Sequence, residues 1–182
     1  MRGILRGVIL FGILGSLIWR SPATKTAAAG VPGIKMTSGT FVNGEMLPLR
    51  CGLNYGNVSP AFAWTGAPEG TKSFALICDD PDAPAGDWVH WVIYNLPADQ
   101  TGLPEHVPAK EVLPNGARQG VNSFGRIGYD GPSPPSGVHR YFFRLYALNI
   151  RIDLEKATKD KLTEAMRGHV LAVGQMMGKY AK

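Results

Sequence analysis

The sequence predicts a mainly β fold carrying one C-terminal helix. Three observations point there. Glycine (23) and proline (14) are frequent in a 182-residue chain, a composition that joins short strands through many turns. Apolar runs of strand length recur over 73–78, 89–96 and 139–149, the last with a clear period of two. Only the segment 158–180 changes to helical spacing, with Leu162, Ala165, Met166, His169, Val170 and Val173 on one stripe behind Thr158 as N-cap. At 45% hydrophobic and 18% charged residues the chain can fill one core, so a single domain over 30–182 is expected behind a leader over 1–29.

The leader comes first in chain order. Met1–Arg6 is a positive n-region, and Gly7–Trp19 is an unbroken apolar stretch followed by small residues. Thirteen residues span about 20 Å as a helix, short of a hydrocarbon core of roughly 30 Å. Export to a periplasmic or extracellular space is therefore expected, with cleavage after Ala23 or after Ala29. An uncleaved leader, lengthened past Arg6 by Ile4 and Leu5, is the alternative and anchors the protein to the membrane. The same segment carries Arg2, Arg6, Arg20 and Lys25 and no acid, so it holds most of the formal charge of +5. Beyond it 15 basic residues face 14 acidic ones, which excludes a general nucleic-acid surface.

In the domain, 34–39 and 41–49 are expected to form an opening pair of strands around Asn43-Gly44. Gly52–Pro60 reads as loop, Ala61–Trp64 as a strand, and Gly66–Gly70 as a turn. Ser73–Cys78 is a strand buried on both faces, ending at Asp79-Asp80-Pro81. On 89–96 the period of two predicts His90, Val92 and Tyr94 on one face and Val89, Trp91 and Ile93 on the other. Residues 97–131 are irregular, a length that marks a structured or functional loop. On 139–149, His139, Tyr141, Phe143, Leu145 and Ala147 share a face. Cys51 and Cys78 are the only cysteines. In an exported chain they invite a disulfide, while Cys78 in its apolar run reads equally as a small buried thiol. Their spacing is that of no zinc site.

The chemistry gathers at two places where a Pro/Gly loop meets an aromatic strand: Asp79–Trp91 and Gly131–Tyr141. Aspartates and prolines are turn residues for local reasons, but this aspartate loop leads directly to Trp88 and His90. If the strands adjoin, His90, His139 and an aspartate line one cavity, the carboxylate orienting an imidazole so that its second nitrogen meets a ligand. Three chemistries fit. A hydrolase needs a nucleophile, and Ser123, Ser133 and Ser136 lie in loops without a Gly-x-Ser-x-Gly elbow. A metal site needs ligands at a diagnostic spacing, which is absent. An anion pocket needs only donors around a small cavity.

Asp80-Pro81-Asp82-Ala83-Pro84, Trp88-Val89-His90-Trp91, Tyr129-Asp130-Gly131-Pro132, Gly137-Val138-His139-Arg140-Tyr141 and Leu145-Tyr146-Ala147-Leu148 closely resemble the phosphatidylethanolamine-binding protein family. The match is to its bacterial and archaeal Raf-kinase-inhibitor-like branch, the YbhB/YbcL type. It runs from about Met36 to Tyr180 and includes Asn57-Val58-Ser59-Pro60, Trp64 and Gly168–Ala172. The resemblance implies a β-sandwich with a large antiparallel sheet, a smaller sheet and helical decoration. It implies a small pocket for a phosphate-bearing small molecule or lipid headgroup, and with no nucleophile motif and no metal-ligand spacing in the sequence the pocket is expected to be non-catalytic and to hold no cofactor or metal. Carried onto this chain, the pocket is Asp80, His90 and His139, with Tyr141, Trp88, Pro84, Gly131 and Pro132 on its walls. Proline loops of this kind often hold a cis bond. The second expectation is a regulator whose surface blocks another enzyme, a protease or a kinase-type partner; inhibition of a Raf-type kinase is not carried over with the resemblance, because export separates this chain from cytosolic kinases. One departure stands out: many eukaryotic members have adjacent histidines where this chain has Val89-His90.

Overall fold

The computed structural model describes residues 33–182, so the leader expected over 1–29 lies outside the described residues. The organising strand is β3 (Ser73–Asp80), in which every residue is buried. It occupies the middle of a five-stranded antiparallel sheet, flanked by β4 (Trp88–Pro97) and β7 (Val138–Leu148), with β6 (Arg118–Gln119) and β8 (Val170–Ala181) at the edges. A second sheet of three strands is built from β1 (Lys35–Thr37), β2 (Phe62–Thr65) and β5 (Gly102–Leu103). Among the described residues one helix, α1 (Lys159–Met166), completes the list of regular elements apart from a 3₁₀ turn at Leu49–Cys51. The mainly β sandwich with a large and a small sheet is thus what the chain forms. Among the described residues no helix is long and apolar enough to cross a membrane.

Alternation along β3 builds two cores. Phe74, Leu76 and Cys78 face the small sheet, packing with Phe62, Trp64, Trp91, Phe143 and Leu145. Ala75 and Ile77 face the opposite way, with Val89, Val92, Tyr94 and the α1 residues Leu162 and Met166. Burying each large apolar side chain contributes roughly 1.5–3 kcal/mol, so layers on both faces hold β3 in place. The strand does not stop before the aspartates. It runs through Asp79 and Asp80 because both keep ladder partners, Asp79 opposite Val89 and Phe142, and Asp80 opposite Trp88.

The expected faces of β4 are only partly found. Cys78 pairs with Trp91 and Asp79 with Val89, leaving His90 as an extra residue opposite no partner, a β-bulge. The bulge places His90 and Trp91 on the same side of the sheet. Val89, Val92 and Tyr94 accordingly lie in the helix-side core, while Trp91 and Ile93 lie in the other.

Two further expectations are corrected. The segment 41–49 is not a strand. It joins β8 only through an isolated parallel bridge, Met46 opposite Lys179, with Leu47 N bonded to Lys179 O and Lys179 N to Glu45 O, and through Gly44 N to Met177 O, while Phe41 and Leu47 plug into the core. Gly178 admits it, since a Cβ there would stand 2.7 Å from Leu47 side-chain atoms. The helix expected over 158–180 is only its first third. Thr158 caps it, accepting from Lys161 N, and the chain turns at Gly168, whose φ of 78° is left-handed. The rest is β8, with Ala172, Gly174, Met176, Gly178 and Tyr180 buried in alternation against β7. Cys51 and Cys78 are both free and buried, so no disulfide joins them; each fills space in the same core as a small apolar residue.

Candidate functional site

The ends of β3, β4 and β7 open together onto the loops 81–87 and 123–137, and there lies a cavity of about 260 Å³. Its polar floor comes from three strands: Asp80 from β3, His90 from β4, and His139 with Tyr141 from β7. All four are at most 7% exposed. Continuing the alternation of β3 puts Asp80 on the Phe74 side and sends Asp79 to the helix side, where Arg144 and Lys159 pair with it. The bulge brings His90 to the same side as Asp80. Register brings His139 there as well, two residues ahead of Tyr141 on the buried face of β7.

Asp80 is spent on holding the site together. Its Oδ2 accepts from His139 Nδ1 at 2.7 Å and its Oδ1 from Asp82 N at 2.8 Å. Asp82 in turn forms a bidentate pair with Arg140, Oδ2 to Nε at 2.8 Å and Oδ1 to Nη2 at 2.7 Å. The Arg140 hydrogen bonds hold the Asp82 carboxyl down to about 2. Every peptide bond among the described residues is trans, so the expected cis proline is not found; these side-chain bonds set the path of the loop instead.

His90 is oriented from the other side. Its Nδ1 donates to the main-chain carbonyl of Asp130 at 2.6 Å, and Asp130 N returns a bond to the His90 carbonyl at 3.0 Å. The ring packs edge-on against Tyr141 (centroids 5.1 Å apart) and Phe124 (5.5 Å). Burial pulls the His90 pKa below its ordinary value, against the main-chain carbonyls and the charges of Asp80 and Asp130. Tyr141 moves the other way: burial first, then the Asp80 charge, holds its phenol far above the ordinary range. Its hydroxyl is sealed at the cavity floor without a hydrogen-bond partner.

Trp88 and Phe124 form an edge-to-face wall with centroids 5.4 Å apart, and Pro84 with Ala83 and Ala85 closes one side. The opposite rim is Ser133, Pro134 and Pro135. Gly131 and Pro132, expected on the walls, stand behind them. Gly131 is pressed so closely to the 3₁₀ turn that a Cβ would lie 1.9 Å from Cys51 O, and Pro132 O accepts from Leu53 N. They position the loop without lining the cavity.

The sequence reading missed the support of His90. The Asp130 carboxylate is gripped by Asn122 Nδ2 (2.7 Å), Arg126 Nε (2.8 Å) and Asn57 Nδ2 (3.2 Å), and Asn57 Oδ1 accepts from Gly131 N. A main-chain acceptor leaves no mark in composition, although Asn57, at φ 55°, had a usable signal in its loop motif. Phe124 was also missed, because a lone aromatic in an irregular stretch has no periodicity to read.

Chemically the site can orient and donate to a small polar group. Ser133 is the one hydroxyl nucleophile on the rim; it accepts from Asn54 at 3.4 Å, and Ser123 accepts from Val89 N. Among the described residues no serine hydroxyl is bonded to either histidine, and no group of three or more His, Cys, Asp or Glu side chains is placed to hold a metal ion.

The profile of the family described as phosphatidylethanolamine-binding protein matches residues 37–181. A UPF0098 protein of Methanothermobacter thermautotrophicus is 54% identical over 137 residues, covering 75% of this chain and 91% of its own. The UPF0098 protein YbhB of Escherichia coli is 45% identical over 132 residues, covering 68% and 84%. Among solved structures, Escherichia coli YbcL, a member of the mammalian PEBP family, superposes with a TM-score of 0.75 at 34% identity, over 82% of this chain and 98% of its own.

Proposed function

The chain belongs to the phosphatidylethanolamine-binding protein family, and on that premise we propose that its cavity binds phosphate-bearing groups and does not turn them over. The observation that carries the reading is the convergence of two carefully held imidazoles. His90 and His139 each have Nδ1 tied to the protein, so each presents only Nε2 to the cavity. At about 260 Å³ the space falls below the roughly 300–1,000 Å³ of pockets for drug-sized ligands. It takes a phosphate or a small headgroup and leaves no room for acyl chains.

An oxyanion oxygen meeting His139 Nε2 needs a proton there, and Nδ1 already carries one toward Asp80. The bound ring is therefore the imidazolium, stabilised by the Asp80 carboxylate. Calorimetric titration with inorganic phosphate and with phosphoethanolamine tests the reading. Binding to wild type, lost or at least tenfold weaker in His139→Ala and His90→Ala, supports it. Wild type and both variants equally indifferent to either ligand removes it. Export by the leader over 1–29 belongs to the same reading and sets the pocket outside the cytosol; the N-terminal sequence of the mature protein checks it.

A further inference from the structure

The protonation pattern of the floor says more than that an anion fits. A carbonyl oxygen only accepts, so the 2.6 Å contact to Asp130 O requires the proton of His90 to sit on Nδ1. That carbonyl is anchored: its residue is bonded back to the His90 carbonyl, its carboxylate is held by Asn57, Asn122 and Arg126, and its neighbour Gly131 is clamped on Asn57. The ring is 3% exposed and wedged between two aromatic edges. Flipping it would break the bond and strand Nδ1 against a bare carbonyl. Burial between aromatic rings disfavours the charged form, and in the neutral ring Nε2 is a lone pair. It has no partner among the described residues and is not one of their buried orphan atoms.

Charge makes the same demand. Among the described residues no lysine or arginine lines the cavity, and the one carboxylate there, Asp80, already accepts from His139 and Asp82. The titratable and charged groups around the His90 ring are Asp80 from β3, His139 and Tyr141 from β7, and Asp130 from the loop, whose carboxylate turns away to Arg126. None supplies a fixed positive charge. A fully deprotonated oxyanion entering here would set an ionised oxygen against the His90 lone pair.

We propose that the cavity selects an oxyanion that still carries a proton, with its P–OH donating to His90 Nε2 and an ionised oxygen resting on His139. This rests on the phosphate-binding reading and narrows it. The ligand class is orthophosphate or a singly protonated phosphomonoester. Sulfate, which has the shape but no proton at neutral pH, is excluded, and so is a phosphodiester, which has no P–OH. An intact phospholipid headgroup belongs to the excluded class, whereas a free phosphomonoester does not.

Calorimetric titrations of the wild-type protein at pH 7.5 with inorganic phosphate, sulfate and dimethyl phosphate test this directly. Phosphate at least tenfold tighter than both others is the expected result. In ¹⁵N spectra of the phosphate-saturated protein, His90 Nε2 should keep the shift of an unprotonated, hydrogen-bond-accepting nitrogen. Sulfate or dimethyl phosphate binding as tightly as phosphate overturns the inference and leaves the anion pocket standing. A protonated His90 Nε2 at saturation overturns it too. Silence toward all three anions removes the phosphate-binding reading itself, and this inference with it.

Discussion

Replacing Tyr141 by phenylalanine should stabilise the protein while weakening its ligand. The hydroxyl is buried without a partner in a residue 1% exposed. Leaving a buried hydroxyl unsatisfied costs about 1–3 kcal/mol. Removing the oxygen abolishes that cost and leaves a gap too small for water, which returns about a few tenths of a kcal/mol as lost contacts. The net expectation is a gain of about 1 kcal/mol. For a domain of this size that corresponds to a rise of about 2–4 °C in Tm. The Asp80–His139 pair, made on the neighbouring side chains, stays intact. Phosphate binding should weaken about five- to tenfold, because the hydroxyl stands at the floor beside His139 Nε2 and, among the described residues, no group accepts from it. Urea unfolding at pH 7.5 gives the first quantity and calorimetry the second. A Tyr141→Phe protein destabilised by more than 1 kcal/mol with unchanged affinity would refute the reasoning, since the hydroxyl would then have a structural partner.

Three other outcomes follow from the same geometry. Because the folded His90 pKa lies below its ordinary 6.5, the unfolded chain takes up that proton first as pH falls; stability should drop from pH 7 toward pH 5, at up to about 1.4 kcal/mol per unit. His90→Gln should flatten that segment of the curve, and identical slopes in variant and wild type speak against a neutral buried ring. Gly131→Ala places a Cβ against Cys51 O and should lower stability by about 1–3 kcal/mol in denaturant unfolding, with a matching fall in phosphate affinity as the Asp130 carbonyl moves. Burial pushes the Cys51 thiol up to about 11 and raises Cys78 as well, so a thiol reagent should find neither cysteine in the native protein and both after unfolding without reductant; a native thiol that reacts at once contradicts the packing.

The strands that carry the site were legible because their alternation is long and clean. His139 and Tyr141 shared a face in the sequence and share it in the fold. The same rule, extended from Phe74 through Cys78, would have singled out Asp80 over Asp79 without any resemblance to a family. The failures have local causes. In the last quarter, apolar residues at 162, 166, 170 and 173 satisfy a helical period by coincidence, while the alternation of 172–180 is hidden by glycines, which have no side chain to register as buried. The 41–49 segment has strand-like composition but pairs with β8 at one isolated bridge only, Met46 opposite Lys179. Past the bulge the faces of β4 are as the alternation predicts, Val92 and Tyr94 against Trp91 and Ile93, but the sides taken by Val89 and His90 could not be read, since a bulge is a property of pairing with β3 and not of either strand alone. Nor could the hold on His90, which is a carbonyl.

That bulge also makes the site a matter of counting. Deleting Gly86 from the 81–87 loop removes no residue that lines the cavity and is the sort of change exposed loops absorb. Deleting one residue at the bulge restores an unbroken ladder, which a sheet tolerates equally well, but the strand's remaining parity then turns position 90 toward Leu162 and Met166. Two lineages could therefore keep the same fold and the same residues on either side of the gap, and only one of them would still have a pocket. Alignments of this region should be judged by the number of residues between Asp79 and Trp91 before they are judged by which residues those are.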